Sequence, residues 1–252
     1  MRLYADDTAI ITSNSKLDIA YRQAQEMFTK MYHWCVANKL SINSDKTNFV
    51  LFHMKNKPVP RNFTSIQTDV MQISRVKSVQ YLGMLLDENL YWHDHVDQIC
   101  ASLVKYFGIF NHIKDFVSMR ISKQLYYAFI YSRIQYGIEA FGSCAKETLS
   151  KLLIMQNKLL QLFLKWDRRT PTDLVHNRLS ILKIDDVHIA KVLSFVNECR
   201  SCRVPDIFVN YYNIRDTGLN LRNKTALIPH GLGLIWVLVA VISKERVYGI
   251  II

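Results

Sequence analysis

Apolar and polar residues along the first 90 positions follow the spacing of short strands and one long helix. Short strand-like runs at 2–5 and 8–12 flank a pair of aspartates, and this pattern predicts a tight hairpin. From Leu17 to Leu40 the apolar residues recur at helical spacing, so one face of a long helix should pack on a sheet. Further strands are predicted at 47–53, 66–73 and 76–86. Together these elements indicate a small α+β unit with an antiparallel sheet and a helix against it.

Beyond Trp92 the spacing becomes helical. The predicted helices cover residues 95–113, 122–136, 146–164, 172–182 and 186–202. The pattern therefore predicts four regions, with the main boundary near residue 90. They are a sheet-containing region over 1–91, helical regions over 92–165 and 166–230, and a tail over 231–252.

The tail fits none of the patterns that precede it. Its longest apolar run, Leu232 to Ile242, has 11 residues, whereas a membrane-spanning helix needs about 20. No membrane anchor is predicted, and the composition of the tail suggests a frame change or readthrough. Exposed, such a segment would promote aggregation, so we expect its removal to improve solubility or leave it unchanged.

The charge balance is basic, with 32 Lys and Arg against 21 Asp and Glu and a net charge of +11. This excess suits a polyanionic partner such as RNA or DNA, and it equally suits an ordinary basic protein. Residues 146–183 hold eight basic and three acidic side chains, so we expect any bound nucleic acid to lie along the later helices. Five cysteines do not form a disulfide framework and indicate a reducing, intracellular compartment. Met1 leads into a polar, acidic turn, so no signal peptide is expected.

The adjacent carboxylates of Asp6 and Asp7 are the leading candidates for chemistry. Hard oxygen ligands at an exposed turn suit Mg²⁺, which completes its coordination with waters and substrate phosphates. Two such ions can activate a hydroxyl and stabilise a leaving pyrophosphate. The alternative is a solvated turn without any function.

Two weaker patterns lie in the helical half. Cys199 and Cys202 form a CxxC, but a structural zinc site needs four ligands and no second pair follows. Five aromatic residues interleave with Lys123 and Arg133: Tyr126, Tyr127, Phe129, Tyr131 and Tyr136. Such a set can stack on a single strand of nucleic acid, or it can belong to a helical core, and both interpretations stay open.

Several motifs occur in the order that reverse transcriptases of non-LTR retrotransposons share. Tyr4-Ala5-Asp6-Asp7 resembles motif C of that family. The helix ending in Trp34, followed by residues 38–43, Lys46-Thr47 and 49–52, resembles motif D. Tyr81-Leu82-Gly83 with Leu86-Asp87 resembles motif E, the primer-grip hairpin. Residues 90–92, 95–96 and 133–137 are similar to the thumb, and the resemblance covers roughly residues 1–230.

The resemblance implies a partial polymerase palm over 1–91, followed by a mostly α-helical thumb and C-terminal region. It implies metal-ligating carboxylates at Asp6 and Asp7, and a proton donor or charge stabiliser at Lys46. It places Tyr4 and Ala5 under the primer end, and Tyr81, Leu82 and Gly83 along the primer strand. The implied cofactor is Mg²⁺, and the implied partners are an RNA template, a DNA primer and deoxynucleotides, with no stable protein partner indicated.

The chain departs from the family pattern ahead of Tyr4, where only three residues stand. In the family a motif A aspartate and motif B precede motif C, so the metal site formed by these residues is incomplete. We therefore expect the 252 residues alone to bind Mg²⁺ weakly and to show no polymerase activity, although the full-length parent would be an RNA-directed DNA polymerase. The alternative is a non-catalytic, nucleic-acid-binding remnant of a retrotransposon protein. A maturase or telomerase relative would share the aspartates, but motifs D and E fit the non-LTR class better.

Overall fold

The computed structural model describes residues 2–4, 7–54, 59–60, 62–167, 169–204, 212–214, 227–229 and 248–252. These residues divide into two units, one from 1–90 and 210–252 and the other from 91–209. The assignment of palm, thumb and C-terminal regions within them stays a prediction.

Unit 1 is a set of short antiparallel strands with one long helix. Its helix is α1 (Leu17–Ala37). Its strands are β1 (Arg2–Tyr4), β2 (Asp7–Ala9), β3 (Ile11–Asn14), β4 (Val50–Phe52), β5 (Ser65–Gln67), β6 (Gln72–Ser74), β7 (Ser78–Tyr81), β8 (Met84–Asp87), β9 (Tyr212–Ile214), β10 (Leu227–Pro229) and β11 (Tyr248–Ile251). Four antiparallel pairs form, β1–β2, β5–β6, β7–β8 and β9–β10, together with a three-stranded sheet in the order β3-β11-β4. The predicted combination of small antiparallel sheets and a helix is therefore present.

At two places where the sequence predicts a single strand, the structure forms a hairpin of two strands. Ile66 and Ile73, the apolar ends of the predicted strand 66–73, are buried cross-strand partners in β5 and β6. Between them the Thr68 N–H donates to the Met71 carbonyl at 2.7 Å, and the Thr68 hydroxyl accepts from the Met71 N–H at 2.9 Å. These hydrogen bonds close a turn that a strand through 66–73 would lack. The predicted strand 76–86 similarly turns at Leu82–Gly83.

Helix α1 begins where predicted and ends at Ala37, three residues before the predicted end. Lys39 takes a left-handed φ of 57°, and the Leu40 N–H donates to the Cys35 carbonyl at 2.8 Å. Together with the Lys39 N–H bond to the Val36 carbonyl at 3.0 Å, this is a Schellman ending with lysine in the position that usually holds glycine. The chain therefore leaves the helix at a defined point and enters the loop that carries Lys46.

The core of unit 1 lies between α1 and the strands. One face of α1 is buried through Leu17, Ala20, Ala24 and Phe28, whereas Trp34 in its last turn is 59% exposed. The buried cluster consists of those four residues together with Ile10, Phe49, Leu51, Phe63, Ile66, Ile73 and Ile250. The small alanines allow the helix backbone to approach the strands closely.

The end of the chain contradicts the expectation of a dispensable tail. Strand β11 lies between β3 and β4, and Ile250 and Ile251 are 0% and 3% exposed. Deleting 231–252 would remove a middle strand and uncover its neighbours, so we expect loss of soluble protein instead of a gain. The apolar run from Leu232 to Ile242 lies outside the described residues. Strands β9 and β10 also contribute extended structure to the region 166–230, which was predicted to be helical.

Unit 2 is helical. Its elements are α2 (His93–Ile113), α3 (Met119–Leu125), a π-helical segment (Tyr126–Tyr131), α4 (Ser132–Gln135), α5 (Ile138–Phe141), α6 (Lys146–Leu164), α7 (Thr172–Leu179) and α8 (Ile184–Arg200). The five predicted helices are present, with the second one divided into α3, the π segment and α4. Across the part of the chain that is described, no helix has both the length and the apolar character required to cross a membrane.

The core of unit 2 is rich in aromatic rings and includes buried polar side chains. Gln156, fully buried on α6, donates to the Tyr126 hydroxyl at 2.7 Å and to the Leu182 carbonyl at 2.9 Å. His95 on α2 packs edge-to-face on Phe141 and lies 5.8 Å from the Trp92 ring. Burial lowers the pKa of His95 to about 4, because the charged imidazolium is disfavoured among these rings.

The low pKa of His95 makes the stability of the protein depend on pH. The pKa of His95 in the folded state lies below its value in the unfolded state, which is near 6.5. Between these two pKa values the unfolded state binds more protons than the folded state. The contribution of His95 to stability is therefore complete above pH 6.5 and is lost as the pH decreases towards 4. We expect this residue to account for a loss of about 3 kcal/mol at pH 4. In denaturant titrations from pH 7 to 4, His95→Gln should flatten the dependence, whereas His112→Gln, an exposed change on the same helix, should not. Equal pH slopes for wild type and His95→Gln would contradict the assignment.

Candidate functional site

The hairpin β1–β2 carries the predicted metal site. Tyr4 and Asp7 are directly opposite partners in its register. Asp7 begins β2. Ala5 and Asp6 lie outside the described residues, and their predicted roles stay predictions.

Asp7 and Tyr4 are both on the surface, and Tyr4 is 68% exposed. Within the described residues no group of three or more His, Cys, Asp or Glu could hold a metal ion. The Asp7 carboxylate supplies the hard oxygen ligands that Mg²⁺ prefers. The neighbouring residue in the sequence, Asp6, carries a second carboxylate. The donor type therefore fits Mg²⁺, while a complete shell needs further ligands such as substrate phosphates.

Lys46 lies in a short loop that Asn43 organises. The Asn43 side-chain oxygen accepts hydrogen bonds from the Asp45 and Lys46 N–H groups at 3.0 and 3.2 Å. The Asn43 carbonyl accepts from the Thr47 hydroxyl at 2.7 Å. These bonds fix the backbone on both sides of Lys46, which is exposed. Hydrogen bonds thus hold the backbone that carries Lys46, and no ion pair among the described residues involves its ammonium group.

The predicted primer grip is the β7–β8 hairpin. Tyr81 pairs with Met84, and the two loop residues Leu82 and Gly83 have φ of 47° and 77°. Positive φ at both positions defines a type I′ turn, which matches the twist of a two-residue hairpin. Tyr81 is half-buried beside Met84, whereas Gly83 is exposed at the tip. A bare glycine at an exposed tip leaves room for a ligand backbone to approach.

This hairpin is attached to β4 at its far end. The His53 N–H donates to the Glu88 carbonyl at 3.0 Å, and the Asn89 side chain donates to the His53 carbonyl at 2.9 Å. Arg75 also pairs with Glu88 at 2.8 Å. The predicted site residues therefore lie on three elements of one unit: the β1–β2 hairpin, the Asn43 loop and the β7–β8 hairpin. Of these residues, Tyr4 and Asp7 are cross-strand neighbours.

The aromatic residues of unit 2 divide between core and surface. Tyr126 is fully buried, whereas Tyr127, Phe129 and Tyr136 are 42%, 44% and 55% exposed. Phe129 stacks on Tyr106 of α2 with ring centroids 5.6 Å apart, and the Arg133 guanidinium lies 5.8 Å from the Tyr106 ring. Helical spacing alone could not separate these classes, because residues 126 and 127 are adjacent and only the fold shows which one faces inward.

A shallow groove of about 630 Å³ lies beside these rings. Its described lining consists of Arg120, Lys123, Gln124, Tyr127 and Ala128. We use the name basic aromatic face for Arg120, Lys123 and Tyr127, which line this groove. The sequence patterns did not single out Arg120, which lines the groove, or Tyr106, on which Phe129 packs. Arg120 could have been found, because 120, 123 and 127 share one helical face, whereas Tyr106 comes from another helix.

Several lysines of the stretch 146–183 are held in ion pairs, so fewer of its positive charges are available to bind a polyanion than its composition suggests. Lys151 pairs with Asp97 at 2.7 Å, Lys165 pairs with Asp115 at 2.6 Å, and Lys183 pairs with Asp173. By contrast, no ion pair within the described residues involves Arg120, Lys123 or Arg133. The basic aromatic face is therefore the better candidate for a polyanion. The two cysteines of the CxxC differ, since Cys199 is buried near the end of α8 and Cys202 is exposed.

Comparison with known proteins gives one consistent result. The chain is 25% identical over 162 residues to a protein of Drosophila melanogaster named "Probable RNA-directed DNA polymerase from transposon BS", covering 63% of this chain and 18% of that protein. It is 24% identical to the RNA-directed DNA polymerases from mobile element jockey of Drosophila funebris and Drosophila melanogaster, covering 63% of this chain and 17% of each. No protein-family model and no solved structure matches.

The curated homologues of this chain are thus RNA-directed DNA polymerases of Drosophila non-LTR retrotransposons, which confirms the family resemblance carried by the motifs. The chain spans less than a fifth of the length of these first relatives.

Two glycines in different backbone environments, Gly83 in the type I′ turn and Gly108 in α2, give opposite predictions for substitution by alanine. Gly83→Ala forces a side chain into a left-handed φ and should lower the free energy of unfolding by about 1 kcal/mol. Gly108→Ala should raise it by about 0.5–1 kcal/mol, because Gly108 lies in the middle of α2 with open space at its Cβ position. Urea titration of both variants measures the two signs. Stabilisation by Gly83→Ala would be incompatible with this turn.

Proposed function

We propose that this chain forms the motif C, D and E part of a polymerase palm together with a thumb, in an RNA-directed DNA polymerase. The observation that carries the proposal is the β1–β2 hairpin, in which exposed Asp7 is the cross-strand partner of Tyr4. The similarity to retrotransposon polymerases supports this choice over the non-catalytic remnant.

The proposed reaction adds deoxynucleotides to the 3′-hydroxyl of a DNA primer on an RNA template. Asp6 and Asp7 would hold Mg²⁺, which when bound lowers the pKa of the attacking hydroxyl and neutralises the leaving pyrophosphate. The Lys46 ammonium, presented by the Asn43 loop, would donate a proton to that pyrophosphate. Tyr4 would support the primer end, and the Leu82–Gly83 tip would hold the primer backbone, since Gly83 presents no side chain.

The basic aromatic face would bind the template–primer duplex. Arg120 and Lys123 supply positive charge, the described lining of the groove contains no carboxylate, and Tyr127 adds an exposed ring. Phosphate contacts and ring stacking together provide affinity without reading sequence.

The catalytic proposal can be tested in a chimera. Residues 1–252 replace the matching segment of the Drosophila melanogaster jockey polymerase, which supplies the remaining palm and fingers. With Mg²⁺, an RNA template and a labelled DNA primer, the chimera should extend the primer. Asp6→Asn and Asp7→Asn should each lower the rate at least about 100-fold because a metal ligand is lost. Asp18→Asn, an exposed change in the first turn of α1, should leave it unchanged.

Two further results decide between the catalytic and non-catalytic proposals. The 252 residues alone should bind an RNA–DNA duplex without extending it. A chimera that binds the duplex as tightly as the jockey polymerase but does not extend the primer would favour the non-catalytic remnant. Full activity of Asp7→Asn in the chimera would also remove the catalytic assignment.

The basic aromatic face predicts a separate binding defect. Arg120→Ser with Lys123→Ser should weaken duplex binding by the whole chain about tenfold and lower the slope of log K against log salt by about 1–2, because two phosphate contacts are lost. Tyr127→Ala should weaken binding at least about fivefold with little change in slope. Fluorescence anisotropy measures both, with Lys151→Ala as control because Lys151 is already paired with Asp97. An equal loss for the control would place binding elsewhere.

A further inference from the structure

The three-stranded sheet of unit 1 is assembled from distant parts of the chain. Strands β3 and β4 are joined by α1, and both run antiparallel to β11, so they are parallel to each other with one strand between them. Adjacent strands lie about 4.8 Å apart, so the opening between β3 and β4 is one strand wide. The connection through α1 cannot fill it, because α1 packs on the face of the sheet.

The segment that fills the opening comes from the end of the chain. Residues 248–252 follow β4 by almost 200 positions, and 18 residues join β10 to β11. Ile250 is opposite both Thr12 and Leu51, and Ile251 is opposite both Ile11 and Val50. Ile10 and Ile252 extend the ladder with reciprocal backbone bonds at 3.0 and 3.2 Å. A short segment thus makes two ladders at once.

The opening selects for apolar side chains on both faces of the inserted strand. Ile250 is fully buried in the cluster that contains Ile10, Leu51 and Phe28 of α1. Ile251, which points to the opposite face, is 3% exposed. A strand buried on both faces reads as a continuous apolar run, and Ile250-Ile251-Ile252 is such a run.

We propose that the opening between β3 and β4 is a strand-docking site for an extended apolar peptide, held in this structure by the chain's own residues 248–252. Binding works by strand addition, in which the backbone ladder provides affinity and the buried isoleucine positions provide selectivity. Because the occupant is tethered, it has a high effective concentration and excludes free peptides. Weakening the tethered strand opens the site to a peptide of the same sequence.

The test uses the whole chain and a labelled synthetic peptide of residues 244–252, Lys-Glu-Arg-Val-Tyr-Gly-Ile-Ile-Ile. Ile250→Asp in the chain disfavours its own strand, so this variant should bind the peptide at least tenfold more tightly than the wild-type chain. A peptide that carries the same Ile250→Asp change should bind neither chain. Equal binding of the peptide by both chains, or tight binding of the altered peptide, would overturn the proposal.

A second pair of variants keeps the test valid if Ile250→Asp does not fold. Gly249 is opposite Ser13, at a separation typical of antiparallel partners and suited to a disulfide. Ser13→Cys with Gly249→Cys should form an intrachain disulfide under mild oxidation, identified by peptide mapping because the chain has five native cysteines. Ser15→Cys with Gly249→Cys, two positions out of register, should not. Absence of the first disulfide would show that the segment does not occupy the site.

Discussion

Burial of Ile250 beneath α1 is the contact on which unit 1 depends. The helix presents Ala20, Ala24 and Phe28 to a sheet whose middle strand contains this residue. Complete burial of one such side chain stabilises a fold by about 1.5–3 kcal/mol, and removing the strand would also leave two ladders of backbone groups unpaired. The loop that carries Lys46 begins at the end of α1, and the β7–β8 hairpin is attached to β4 through His53 and Asn89. The positions of the predicted catalytic and primer-grip residues therefore follow from the same core.

The two units carry different parts of the proposed chemistry. Unit 1 presents carboxylate, ammonium and glycine at exposed turns, each held by backbone hydrogen bonds of its own hairpin or loop. Unit 2 presents cations beside an exposed ring, while Lys151, Lys165 and Lys183 are held in ion pairs. An excess of positive charge in a sequence is thus a weak guide to a binding surface, because Lys151 and Lys165 already have partners.

The sequence predicted features whose causes are local. The aspartate hairpin, the start of α1 and the helices of unit 2 follow from turn residues and periodicity within a few positions. Strand β11 could not be predicted, because it pairs residues almost 200 positions apart and its composition resembles that of an aggregating segment. The turn at Thr68 was missed since Ile66 and Ile73 fit one strand as well as two. The inward position of Tyr126 depends on Gln156 of α6, and Phe129 packs on Tyr106 of α2, so both depend on residues of other helices.

The π-helical segment at Tyr126–Tyr131 has a consequence for the alignment of the helix that contains it. A π turn accommodates one more residue than an α turn, and each α-helical residue advances the helix by about 100°. Because the π turn absorbs one extra residue within a single turn, removing one residue from this segment would restore a continuous α-helix and leave the residues beyond it close to their present directions. Removing one residue from α3 instead would turn the residues on either side of the deletion by about 100° relative to each other. The π segment is therefore the place in this helix where the length of the chain can change with the least effect on the surface.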